Sequence, residues 1–137
     1  MPYPHPSKGF SLIEVLITIS LAGILTLCCI PLYSHHVARA HRHDAQLTLI
    51  KLSIALEEYH TAHFTYVGAT LDILGFPKWS GAAYYQLKLD DLTQNSYRLS
   101  AQPIGRQESE DASCGALGLN NFNERYHSGP ASSNECW

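Results

Sequence analysis

The sequence predicts an α+β chain. One long N-terminal helix, apolar through its first half and amphipathic through its second, packs on a small antiparallel sheet. Three observations carry this. Residues 15–34 contain no Asp, Glu, Lys or Arg. Farther on, Ala45, Leu49, Leu52, Leu56, Tyr59 and His63 recur at spacings of 4, 3, 4, 3 and 4, one face of a helix. Beyond residue 83 the period shortens to two, in Tyr84–Leu89 and Tyr97–Gln102, the signature of half-buried strands.

The chain begins Met1-Pro2-Tyr3-Pro4-His5-Pro6-Ser7-Lys8-Gly9. Three prolines disfavour a helix there. Phe10–Tyr33 then runs 24 residues with Glu14 as its single charge. As a helix it spans about 36 Å, enough for a bilayer core of about 30 Å. The run is too long for the apolar part of a secretory signal, and no small-residue cleavage site follows it. Glu14 is costly in such a place. It is either a functional intramembrane acid or an interfacial residue favoured by the helix N-terminus. Pro31 cannot donate to the carbonyl of Leu27 and weakens the helix locally. Adjacent Cys28 and Cys29 diverge around the helix and read as small apolar residues.

The helix continues from Ser34 to about His63. Leu47, Ile50 and Ile54 widen its apolar stripe, and Arg39, Arg42, Asp44, Glu57 and Glu58 fall mostly off it. Residues 64–83 form a connecting loop pinned by Leu71, Leu74 and Phe76. Tyr84–Leu89 and Tyr97–Gln102 make a hairpin around a polar turn, with Tyr85, Leu87, Leu89, Tyr97, Leu99 and Ala101 inward. Gly105–Ser113 is a charged loop, Cys114–Leu119 a third strand, and Glu124–His127 a short fourth.

At 137 residues the chain has room for one domain and an appendage. Net charge is −3 and the pI about 6.2. From residue 60 onward five Lys and Arg face eight Asp and Glu, which argues against a dominant nucleic-acid footprint. Cys114 and Cys136 are 22 positions apart, without CxxC spacing or paired histidines, so zinc is disfavoured. A disulfide follows if this part lies outside the cytoplasm. Eight histidines, among them His36/His43 and His60/His63 on shared helix faces, lack a completing ligand set. Asp90-Asp91 lacks calcium-loop spacing and reads as turn capping. There is no P-loop, G-x-S-x-G or H-E-x-x-H. No catalytic residue, metal or cofactor is expected.

Lys8-Gly9-Phe10-Ser11-Leu12-Ile13-Glu14 resembles the prepilin cleavage motif of type IV pilins and pseudopilins: a basic leader, Gly, an aromatic, and Glu four residues on. The resemblance implies a leader at 1–9, cut between Gly9 and Phe10 by prepilin peptidase, which also methylates the Phe10 amine. It implies that the amine of Phe10 in one subunit pairs with Glu14 of a neighbour and sets their stagger, and that the helix unwinds at Pro31 on assembly. Residues 10–33 become the membrane-spanning or filament-core helix, and 34–137 the amphipathic half with its globular domain. Arg39 and Arg42, close after the span, point to the opposite orientation by the positive-inside rule. The cleavage motif and the cysteine pair outweigh them and place the leader in the cytoplasm and the C-terminal domain outside.

The remainder resembles minor pilins of the PilE type, a group that also holds the DNA-uptake pilin ComP. The resemblance rests on Ala45-Gln46, Tyr59, Thr65-Tyr66, Gly68-Ala69-Thr70-Leu71, Leu74-Gly75-Phe76, Tyr84-Tyr85, Tyr97-Arg98-Leu99-Ser100-Ala101, Cys114-Gly115 and Cys136-Trp137. It implies a type IV pilin-like fold stapled by Cys114–Cys136. The expected protein is a structural minor pilin, not an enzyme. It is held in the bacterial inner membrane with its C-terminal domain in the periplasm, then assembled into an extracellular pilus that serves twitching, adhesion or DNA uptake. Its expected partners are other pilins, prepilin peptidase and the assembly machinery. One alternative is a pilus-borne DNA receptor using Lys88, Arg98 and Arg106, against which the charge balance weighs. The other is a type II secretion pseudopilin, for which the acidic calcium loop is missing.

Overall fold

The computed structural model describes residues 9–80 and 82–137, without the side chains of residues 28–32. The element order is α1 (Leu12–His63), β1 (Trp79–Ser80), β2 (Tyr85–Asp90), β3 (Arg98–Pro103), α2 (Arg106–Glu110), β4 (Leu117–Asn120), β5 (Arg125–His127) and α3 (Ser133–Cys136). The chain divides into two compact units, Met1–Ser34 and His35–Trp137.

In the first unit the described residues are the opening turns of α1. Ser11 precedes the helix, and its carbonyl accepts from the Glu14 and Val15 N–H groups at 3.0 and 3.2 Å. In return the Ser11 N–H donates to Glu14 Oε2 at 3.5 Å, a loose capping box. Hydroxyls within the apolar run satisfy themselves on the helix's own carbonyls. Thr18 donates to Val15, Ser20 to Leu16 and Thr26 to Ala22, all at 2.7–2.8 Å. That lets them sit in an apolar medium without an unpaired donor. Among the described residues no helix is long and apolar enough to cross a membrane. The described apolar side chains stop at Leu27, and the sequence stays apolar through Leu32.

In the second unit, α1 packs on a five-stranded antiparallel sheet in the order β1-β2-β3-β4-β5. Successive strands pair, as short connections dictate. The register sets Leu87 opposite Ala101 and Ala101 opposite Leu117, and Leu89 opposite Leu99 and Leu99 opposite Leu119. These rows face Ala45, Leu49, Leu52 and Leu56 of α1, each fully buried. Tyr66 and Ala69, from the connecting segment, close one side of the core. The expected helix and hairpin are therefore present.

The structure corrects several details. The expected loop 64–83 contains β1, a two-residue edge strand. The expected charged loop 105–113 contains α2, whose Gln107 is fully buried. The third strand starts at Leu117 and not Cys114, because Cys114 and Gly115 turn back on Asp111 through two backbone hydrogen bonds. Gly115 has φ +64°, and a side chain there would also collide with Ser128. Arg42 is only 5% exposed, although the spacing argument put it off the packed face.

Candidate functional site

Three places in the described residues carry chemistry. The first is the start of α1. Phe10 and the large apolar side chains from Leu12 to Leu27 are 46–82% exposed. A monomer in water rarely leaves so long an apolar stripe uncovered. Glu14, the one acid of this unit's described residues, lies in the first turn of α1. Gly9 and Phe10 precede the helix in irregular backbone. Lys8 and the rest of the leader lie outside the described residues, as does the Pro31 side chain; the α1 backbone is helical through position 31.

The second place is a buried polar knot at the C-terminal staple. The Cys114 and Cys136 sulfurs are bonded, with Cα atoms 5.4 Å apart. Arg42 donates to Asp111 Oδ1 at 2.5 Å and to the Glu135 carbonyl at 3.2 Å, and its Nη1 lies 2.8 Å from Cys114 Sγ. Asp111 Oδ2 accepts from Tyr85 Oη at 3.0 Å and from Gln107 Nε2 at 3.4 Å. Gln107 Nε2 also donates to the Ala38 carbonyl and to Tyr85 Oη, and Gln46 Nε2 to the Cys136 carbonyl. A buried charge needs this density of partners. Burial and the facing Asp111 carboxylate push the Tyr85 hydroxyl up, so it stays a donor. The knot fastens α1, α2 and the terminal loop together, and its one acid, Asp111, and its tyrosine, Tyr85, are both engaged. It is structural, not catalytic.

The third place is the outer face of the sheet. Strand alternation turns Trp79, Gln86, Lys88, Arg98, Gln102 and Tyr126 away from the core. Trp79, Gln86 and Gln102 are direct cross-strand neighbours. Tyr126 lies over Gly118, where any side chain would strike its ring, and donates to the Leu99 carbonyl at 2.8 Å. Arg98 sits 5.8 Å from the Tyr126 ring centre and 3.3 Å from Asp91, with both members of that ion pair exposed. A groove of about 540 Å³ beside β2 is lined by Lys78, Gln86 and Lys88, with Asp72 and Asp90. Asp90 is engaged by the Ser100 hydroxyl at 2.7 Å. Arg106 is elsewhere, on α2, paired with Glu110 at 2.9 Å. The structure thus brings Lys88 and Arg98 onto one face and leaves Arg106 off it. Trp79 joins that face unforeseen, because β1 was read as loop; Lys78, its neighbour in the chain, lines the groove at the β2 edge.

Three of the described histidines have aromatic partners. His41 stacks on Tyr84, His63 on Tyr59 and His60 on Tyr66, with centroids 3.9–4.4 Å apart. Among the described residues no group of three His, Cys, Asp or Glu is placed to hold a metal.

Comparison with known proteins agrees with this geometry. The family described as "Type IV minor pilin ComP, DNA uptake sequence receptor" matches residues 31–118, and the "Prokaryotic N-terminal methylation motif" matches residues 5–27. A fimbrial protein of Neisseria meningitidis serogroup B is 38% identical over 61 residues, 44% of this chain and 36% of that protein. The type IV major pilin PilE of Neisseria gonorrhoeae is 39% identical over 56 residues, 41% of this chain and 34% of that protein. The matches thus span about a third of the length of these relatives. The crystal structure of the Neisseria meningitidis non-core minor pilin PilV superposes with a TM-score of 0.56 at 19% identity, covering 74% of this chain and 94% of that one. That likeness shows the fold. The methylation motif takes in Gly9, Phe10 and Glu14, and the pilin family is one of structural, non-enzymatic proteins. With more than half its length matched by that family, the chain belongs to the type IV minor pilins of the ComP family.

Proposed function

We propose that this chain is a minor pilin that enters a type IV pilus through its apolar N-terminal helix and contacts DNA with the outer face of its sheet. The observation that supports the DNA half most directly is the grouping of Lys88 and Arg98 with Trp79 on that face, with Lys78 in the groove beside it, in a chain matched by a DNA-receptor family. Glu108 and Glu110 on α2 and Asp111 in the knot lie away from this face, whereas Asp72, Asp90 and Asp91 lie beside its cations.

On this reading Gly9–Phe10 is the cleavage site and Phe10 carries the methyl group. Residues 10–33 hold the subunit in the inner membrane until assembly, with 34–137 in the periplasm. In the filament the Phe10 amine of one subunit replaces the Ser11 N–H as the partner of Glu14 in the next. That exchange is favourable because a charged partner makes the stronger hydrogen bond. Pro31, which removes one helix hydrogen bond, lets α1 loosen as subunits pack.

Two measurements test it. Full chain in detergent micelles should bind duplex DNA with log K falling against log salt at a slope of about −2.7, three phosphate contacts at ~0.9 each. Lys88→Ala and Arg98→Ala should each lower that slope by ~0.9. Absence of salt-sensitive binding refutes the DNA half. Glu14→Ala should remain in the membrane fraction and disappear from sheared pili; unchanged incorporation refutes the assembly half.

A further inference from the structure

We infer that Trp79, Gln86 and Gln102 form a base-reading row that prefers A·T pairs in the major groove. This deepens the DNA-contact reading and rests on it. The register places the three side by side across β1, β2 and β3, on the solvent face. Strands lie about 4.8 Å apart, so the row spans about 10 Å. A major groove about 12 Å wide admits a two-stranded ribbon; β1 and β2 are the edge pair of the sheet that would enter it, with Gln102 of β3 at the margin.

The chemistry of the row is selective. Among the described residues neither glutamine amide has a hydrogen bond within the protein, and both are half-exposed. Each carries one donor and one acceptor group, the pair that adenine N7 and N6 complement. Guanine presents two acceptors there and suits arginine or lysine instead. Trp79, 43% exposed, offers an apolar surface for a thymine methyl. Lys78 precedes Trp79 in the chain, Lys88 follows Gln86 by two residues on the same face, and both line the groove beside β2. They flank the row as phosphate contacts should, fixing position while the amides specify. The two acids of the groove, Asp72 and Asp90, disfavour purely electrostatic capture. They make the amide contacts the larger part of discrimination.

The test compares full chain in detergent micelles on two probes, poly(dA-dT) and poly(dG-dC) duplexes, across a salt series. The expected result is at least about fivefold tighter binding to the A·T duplex, from one or two bidentate amide contacts. Gln86→Ala and Gln102→Ala should each reduce that ratio several-fold while leaving the salt slope unchanged. Lys88→Ala should do the reverse. Both glutamines face solvent, so these variants keep the core. Equal affinity for the two duplexes, or a ratio untouched by either glutamine variant, overturns the inference and leaves the DNA-contact proposal standing. Failure to bind either duplex at any salt overturns both.

Discussion

Replacing Asp111 with Ala should unfold the globular unit at a much lower temperature. Asp111 supplies the counter-charge to Arg42, and both side chains are 6% exposed. It also accepts from Tyr85 Oη and Gln107 Nε2. Without it, Arg42 keeps the Glu135 carbonyl but stands as a buried cation with no anion. Breaking one side of a buried pair costs about 3–5 kcal/mol. For a domain of this size each kcal/mol moves Tm by roughly 4–8 °C, so the drop should be at least ~12 °C. The assay is thermal unfolding of the full chain in micelles, followed by the near-ultraviolet signal of the packed tyrosines. A second variant isolates the charge. Arg42→Met with Asp111→Leu removes both ions and leaves apolar groups of similar bulk, and should lose less than Asp111→Ala alone. If Asp111→Ala shifts stability by under ~1 kcal/mol, or the double variant is no better than the single, Arg42 is not held as an ion pair.

Three further outcomes follow from the same packing. Gly118→Ala drives a methyl into the Tyr126 ring and displaces it from the Leu99 carbonyl; a loss of about 1–3 kcal/mol in urea unfolding is expected. Cys136→Ser opens the 22-residue loop closed on Cys114 and should lower stability by about 3–4 kcal/mol in the chain-entropy model, read from the denaturant midpoint with and without reductant. Tyr66 is pushed up to about 12 by burial, then by its hydrogen bond to Glu57. Burial is also the first cause of the upward shifts of Tyr85, Tyr97 and Tyr126. An acid raised in the fold favours the protonated native state, so stability should hold below pH 10 and fall from there to about 12. Tyr66→Phe should blunt that fall, and a urea midpoint that is flat to pH 12 would contradict it.

The repetitive parts of this structure were legible because each buries one face of a regular period. The 4-3 spacing from Ala45 to Leu56 and the alternation around Leu87 and Leu99 map directly onto the core. Arg42 shows the limit of reading by residue type. Ala38 and Arg42 continue the same 4-3 spacing backward from Ala45, and both are buried, so position announced what charge concealed. Its partner Asp111 is 69 residues away in sequence, and nothing in the composition of 105–113 marks that stretch as a lid over α1. Gln107 was hidden for the same reason, as a polar residue among charges that turns inward on one turn of helix. At the N-terminus the reverse held. Gly9, Phe10 and Glu14 make a motif that sequence displays openly, and the consequence proposed for them lies in contacts between subunits. The outer sheet face was half legible. Lys88 and Arg98 sat on expected strands, whereas Trp79 joined them through a two-residue strand too short to have a period.

The most direct measurement is the N-terminal peptide of this protein recovered from sheared pili of its native host. Digestion and mass spectrometry should give a peptide that begins at Phe10 and carries one methyl group on its amine. A peptide running unbroken from the leader through Gly9 and Phe10, or a chain found in the membrane and never in pili, would contradict a processed pilus subunit.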